Sequence, residues 1–239
     1  MHIPQLIEGT FLEEKSGRFL CLVEILGEVC ECYVPCSSKL TKHLNLRNKP
    51  ILLTPNKDSR LRTKYSLFAV KEQKNLIFLN LNLLNRIVEE GIRNKQSFPD
   101  CVLESYVERT ICGYKADVGF FNNMTKEKRI VEVKGIISTE DEAFHPTVHS
   151  ERSIKQLAKL KQILLEGHIV HYIFIALSPT ISVISIDPKH SEYCNLLSDC
   201  IGLGMLIGGY SLKFISGELT LDQNIPVKFS RIVKEYTIG

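Results

Sequence analysis

KADVGFFNNMTKEKRIVEVKG, Lys115 to Gly135, decides how this chain is read. One apolar run carries an isolated carboxylate, Asp117, near its start, and the next ends in Glu132-Val133-Lys134. Residues two apart on a strand point to the same side, so Glu132 and Lys134 share a face while Val131 and Val133 pack the other. The polar, turn-prone linker from Asn122 to Lys128 predicts a hairpin, which would set Asp117 beside Glu132. Two carboxylates and an ammonium on one wall are costly unless they have a purpose or a partner.

An Asp followed one strand later by Glu-x-Lys is the arrangement used by nucleases of the PD-(D/E)xK type. Two carboxylates suit Mg²⁺ or Mn²⁺, hard cations that prefer oxygen ligands. Such a cation polarises a scissile phosphate and acidifies water, and the lysine screens developing charge. The same spacing also fits a surface strand whose Glu132 pairs with Lys128 or Lys134. Against that bland reading, the residues sit in a hydrophobic strand that runs straight into Gly135, where a cleft edge is expected.

Composition sets the frame. With 239 residues, 44% hydrophobic and 24% charged, the chain can bury a substantial core in one large domain or two small ones. No apolar run approaches the roughly 20 residues that span a bilayer. The start, MHIPQLIEGTFLEEK, lacks the basic-then-apolar layout of a secretory signal, so a cytoplasmic protein is expected. Of eight cysteines only Cys30, Cys32 and Cys36 cluster, without a second pair at zinc-ribbon spacing, and they read as reduced core residues. Net charge is only +3, yet residues 37 to 75 hold ten Lys or Arg against Asp58 and Glu72. That segment reads either as a phosphate-facing surface or as a solvated face. Lys39, Arg60, Arg62 and Lys64 within it, and Arg18 before it, are the candidate nucleic-acid contacts.

From Gly9 to about Val70, short runs (RFLCLVEIL, EVCECYV, KPILLTP, KYSLFAV) alternate with turn residues and predict a small barrel of the oligonucleotide-binding (OB) type. NLIFLNLNLLNRIVEEGIRNK predicts a strand running into a helix over about 81–94, so the first part is set at 1–78 and the second at 79–239. A helical or loop region follows to about Glu108, then the hairpin. SERSIKQLAKLKQILLEGH has helical spacing, with Ser150 at its start and Gly167 at its stop. IVHYIFIAL reads as a strand buried on both faces, HSEYCNLLSDCIGLG as a helix, and MLIGGYSLKF as a last strand, open at a sheet edge for pairing into a homodimer. The second part is therefore an α/β domain with a mixed sheet.

The chain resembles the sugar fermentation stimulation protein (SfsA) family over nearly its full length. The matching segments, in order, are GTFLEEKSGRFLCLVEI, RTKYSLFAV, NLNLLNRIVEEGI, KADVGF, VEVKGI, SERSIKQL, ISIDPKHSEY and NIPVKF. The resemblance implies an OB-like domain followed by a restriction-endonuclease-like domain. It implies Asp117, Glu132 and Lys134 as the catalytic set and Glu108 as a further metal ligand beside Asp117 and Glu132, with Glu104 as the alternative. It also implies supporting roles for Asn85, Glu151 and Gln156, and backbone contacts by Arg152 and Lys155. Glu151 equally suits a charge at a helix N-terminus. The sequence departs from the family in the loop Pro35 to Leu40, at Thr147 where the family has Asp, and at Gln156 where it has His.

His145 and His149 are weighed for a site role because they precede the helix that follows Glu-x-Lys, whereas His168 and His171 are read as exposed or capping. Two functions are consistent with these residues: a metal-dependent nuclease acting on DNA or RNA, or a nucleic-acid-binding regulatory protein with little catalysis. A small-molecule enzyme on an unrelated α/β fold is disfavoured, since no Gly-rich phosphate loop occurs.

Overall fold

The computed structural model describes residues 1–3, 5–15, 19–36, 40, 44–56, 62–72, 74–94 and 103–229. Six strands open the chain: β1 (Ile7–Glu14), β2 (Leu20–Ile25), β3 (Glu28–Tyr33), β4 (Pro50–Pro55), β5 (Tyr65–Glu72) and β6 (Asn75–Phe78). β2 turns into β3 through Leu26 and Gly27, both at positive φ, as a two-residue hairpin requires. β1 pairs antiparallel with β2 and β4, β4 with β5, and β3 closes the ring by pairing in parallel with β5 through Cys32↔Tyr65 and Tyr33↔Ser66. The result is a closed five-stranded barrel of OB type, extended by β6. Phe11, Cys21, Cys32, Cys36, Ile51 and Leu67 are among the side chains that fill it.

A 3-10 turn (Leu81–Leu83) leads into α1 (Leu84–Asn94), whose Leu84, Ile87, Val88 and Ile92 recur at helical spacing and are buried. The second sheet follows: β7 (Leu103–Ile111), β8 (Tyr114–Asn122), β9 (Lys128–Ile136), β11 (Ile169–Ala176), β13 (Leu206–Ile215) and β14 (Glu218–Asn224), in the order β14-β13-β11-β9-β8-β7. β9, β11 and β13 are mutually parallel and the rest antiparallel, so the sheet is mixed. The helices α2 (Glu151–Leu165) and α3 (Ser191–Gly202) lie in the crossovers that parallel pairing demands. A separate parallel sheet joins β10 (Glu142–His145), β12 (Val183–Ile186) and β15 (Val227–Phe229).

α2 starts and stops as its residues dictate. The Ser150 hydroxyl accepts from the Ser153 amide at 3.2 Å. Gly167, at φ +83, lets its own amide reach Leu164 O and that of His168 reach Ile163 O, the Schellman pattern. Leu157, Leu160, Ile163 and Leu164 face one core, together with Tyr172, Phe174 and α3. The opposite sheet face packs α1 and part of the barrel into a second core containing Ile3, Phe68, Phe78, Val118 and Val131. A cut after residue 78 therefore separates the barrel sheet from the mixed sheet but runs through this second core, which holds residues of both.

Three expectations change. Residues before Glu108 form β7 rather than a helix or loop: among the described residues its one strand partner is β8, and its exposed Glu104, Glu108, Arg109 and Thr110 blur the apolar alternation. β13 is not an edge, because β14 covers it. His171 is 6% exposed, inside the central strand β11, and burial pushes its pKa down to about 4.

Gly209 in β13 shows how tight this sheet is. A Cβ there would lie 2.5 Å from the Ile225 carbonyl oxygen and 2.9 Å from Val227 Cγ2. Gly209→Ala is expected to destabilise the fold by about 1–3 kcal/mol, seen as a lower urea midpoint. Gly202→Ala, at the end of α3 with open space around it, should leave stability unchanged or raise it by up to about 1 kcal/mol.

Candidate functional site

The site lies where β8 and β9 part. Their ladder runs from Phe121↔Lys128 to Val118↔Val131. Beyond it the Asp117 carboxylate takes the place of a strand partner, its Oδ2 accepting from the Val133 amide at 2.8 Å. Its Oδ1 accepts from Asn85 Nδ2 of α1 at 3.4 Å. Burial, and next the neighbouring Glu132, push the Asp117 pKa up to about 6, against the opposing pull of the Val133 amide and the Lys134 ammonium.

Glu132 is 1% exposed. A carboxylate this deep must have both oxygens satisfied, and they are: Oε1 accepts from Lys134 Nζ at 2.5 Å, and Oε2 accepts from the Tyr114 hydroxyl. Burial and the Glu132 charge raise the Tyr114 pKa far above its usual value, which keeps that hydroxyl a donor. Lys134 Nζ also donates to Gln156 Oε1 at 2.9 Å and lies 5.6 Å from the centre of the Tyr172 ring. Gly135, next in the chain, admits the close approach of the α1 end of the fold: a Cβ there would meet Leu84 Cδ1 at 2.9 Å and Leu81 Cδ2 at 3.0 Å.

The structure thus brings together Asp117, Glu132, Lys134, Asn85 and Gln156. Glu151, Arg152 and Lys155 stand beside them on the first turns of α2. With Tyr114, Gln156 and Lys159 they line a groove of 480 Å³. Lys155 and Glu151 are 3.7 Å apart and about four-fifths exposed, a pairing worth little in water. Arg152, Lys155 and Lys159 form a basic stripe on one side of the helix.

Glu108 does not join the set. Its backbone is at φ +55, and its side chain, 53% exposed, pairs with Lys115 at 3.6 Å. Glu104 is further from Asp117 along β7, held by Tyr106 and Asn123. Arg62 is engaged by Glu31 on the barrel at 2.9 Å, while Lys49 and Lys71 pair with Glu72 and Glu8, so part of the basic segment is neutralised locally. Lys64 is exposed. Arg18, Lys39 and Arg60 lie outside the described residues. His149 is exposed, and His145 packs edge-on against Phe174 and Tyr193 with ring centres 5.5 Å away. Tyr114 and Lys159 are the site residues the sequence reading missed; the signal for Tyr114 was an aromatic at the start of the Asp117 strand, and that for Lys159 its helical spacing from Arg152 and Lys155.

Residues 82–218 match the family model of the sugar fermentation stimulation protein (SfsA) RE domain. The chain belongs to the SfsA family. A homolog from Clostridium beijerinckii is 27% identical over 177 residues, covering 73% of this chain and 76% of its own length. One from Natranaerobius thermophilus is 24% identical over 238 residues, covering 97% and 98%. The structure of Pyrococcus furiosus SfsA in complex with Ca²⁺ superposes with a TM-score of 0.80 at 20% identity, over 95% of this chain and 98% of that one. Barrel and mixed sheet are therefore the SfsA architecture. No helix among the described residues is long and apolar enough to cross a membrane.

The raised Asp117 pKa has a measurable consequence in metal-free protein. A carboxyl whose folded pKa of about 6 exceeds its unfolded value of 3.8 binds protons more tightly when folded. Stability is then lost as pH rises between those values. Asp117→Asn should therefore be more stable than wild type by roughly 1–3 kcal/mol at pH 8 in EDTA, and the difference should vanish near pH 4 in paired urea titrations.

Proposed function

We propose that this SfsA chain is a divalent-metal-dependent nuclease that hydrolyses phosphodiester bonds of DNA or RNA in the cytoplasm. Residues 1–78 serve as its binding barrel and 79–239 carry the chemistry. One observation carries the reading: two carboxylates, Asp117 and Glu132, converge with the Lys134 ammonium at a strand divergence flanked by the basic stripe of α2. Pure phosphate binding gains nothing from buried negative charge at that point, whereas a cation relieves it.

The donors fit Mg²⁺ or Mn²⁺. They are hard carboxylate oxygens, and among the described residues no third His, Cys, Asp or Glu completes a cage. Mg²⁺ is commonly held in this way by one or two carboxylates, with water and substrate phosphate filling the rest. The Ca²⁺ held by the Pyrococcus relative is in keeping with an oxygen site in this fold. When bound, the cation would supply Lewis acidity to the phosphate and lower the pKa of water. Asp117 and Glu132 would hold it. Tyr114 fixes the Glu132 carboxylate, and Gln156 fixes the Lys134 ammonium, so neither group has to reorganise as charge develops. Lys134 would offset the added negative charge on the attacked phosphate. Arg152 and Lys155, joined by Lys159, would hold the backbone on either side.

A second reading has its own support: Glu132 is fully satisfied by Lys134 and Tyr114 without any cation. A binding protein that retains such a relic network would bind nucleic acid without cutting it. Incubation with labelled single- and double-stranded DNA and RNA in Mg²⁺, Mn²⁺ or EDTA separates the two. The nuclease reading expects metal-dependent cleavage that falls at least about 100-fold in Asp117→Ala and in Lys134→Ala. Intact substrate in every condition, with mobility shifts preserved and Asp117→Ala binding as well or better without metal, would establish the binding protein instead.

A further inference from the structure

On the other side of the α2 N-terminus from the basic groove lies a second cavity, of 210 Å³, which the reading above leaves unused. Gly135 and Ile136 form one wall, so it opens directly beside the Lys134 end of β9. Phe144, His145, Thr147 and Ser153 supply much of the rest.

Three features mark it as a built site. First, Phe144 is 48% exposed at its rim and Val148 59%, although a ring of that size on β10 would gain roughly 1.5–3 kcal/mol from burial. Second, His145 lines the cavity, and its Nε2 is buried without any hydrogen-bond partner. Such an atom costs free energy unless something supplies a partner. Third, among the described residues the lining has no cationic side chain: it offers apolar surface, hydroxyls and an imidazole that burial, aided by the Lys134 charge, holds neutral with a pKa of about 3. That chemistry is poor for a phosphate and suited to a neutral, flat heteroaromatic ring with polar edges. A 210 Å³ space also suffices for one, since an apolar cavity of about 150 Å³ already admits benzene.

We propose that this cavity receives the base of an unpaired nucleotide adjacent to the phosphate held at Asp117, Glu132 and Lys134, stacked on Phe144 and packed against His145. A base in a duplex is stacked between its neighbours and cannot enter. The substrate is accordingly single-stranded or locally opened nucleic acid. The assignment rests on the nuclease reading for the place of the phosphate, but the pocket can be tested without catalysis.

The full-length protein is titrated in Ca²⁺ with a single-stranded oligonucleotide carrying one abasic position, moved stepwise along it, and with the matching duplex. Stacking of one base predicts a loss of about tenfold in affinity when the abasic position reaches the pocket. Phe144→Ala should bind the intact single strand about tenfold more weakly, lose the abasic dependence and keep its duplex affinity. Phe144→Tyr should restore both. Because Phe144 is half exposed, its truncation leaves the fold intact, and urea titration of the variant verifies this. Affinity indifferent to the abasic position, or equal weakening of single strand and duplex in Phe144→Ala, would overturn the pocket assignment. If wild type cuts nothing in Mg²⁺ yet shows the abasic dependence, the nuclease reading fails and the pocket stands; cutting without that dependence has the reverse meaning.

Discussion

A carboxylate with almost no solvent contact organises the centre of this molecule. Glu132 sits on an interior strand, in the layer that Tyr172, Leu157 and α2 fill with hydrocarbon. Leaving it unpaired there would cost several kcal/mol, so its surroundings are constrained one by one. Lys134 must turn back along its own strand, Tyr114 must bring its hydroxyl across from β8, and α2 must begin where Gln156 can hold the ammonium. The network also fixes the strand divergence, because Asp117 can satisfy the free Val133 amide only while β8 and β9 remain apart.

The two faces of the second sheet then perform different tasks. Even-numbered side chains of β9, among them Ile130 and Ile136, face α2 and α3 together with the charged pair, while Val131 faces α1 and the barrel. The charged site is thus embedded in one core and braced from behind by another. Tyr172, a large and fully buried side chain, lies beside Glu132 on the neighbouring strand β11, which limits the room for reorganisation in a close-packed interior.

Much of this was legible in the sequence because it depended on short separations. Glu132 and Lys134 are two apart, the Asn122–Lys128 linker folds Asp117 back onto them, and Ser150 and Gly167 bracket a helix whose apolar spacing is regular. The strands of the barrel announced themselves by turns at both ends. What stayed hidden depended on distant partners. Tyr114 is one aromatic among eight tyrosines until β9 lies beside it. The family resemblance implied Glu108 as a ligand, but a left-handed backbone and Lys115 hold it at the surface. β7 was obscured by its position at the edge of the sheet, and His171 by adjacency to a helix end, although β11 is the most enclosed strand of the sheet.

The residues before β1 do not trail away from the barrel. His2 bridges Glu218, and the Ile3 amide donates to the Gly217 carbonyl, while at the other end of the barrel the Phe78 amide donates to the Leu177 carbonyl. The barrel is attached like a handle, at two points on the same body, and not like a pendant on a single cord. Its bearing toward Glu132 is then a fixed dimension of the fold, so the barrel face meets the sheet at a set distance, as work meets a tool along a fence.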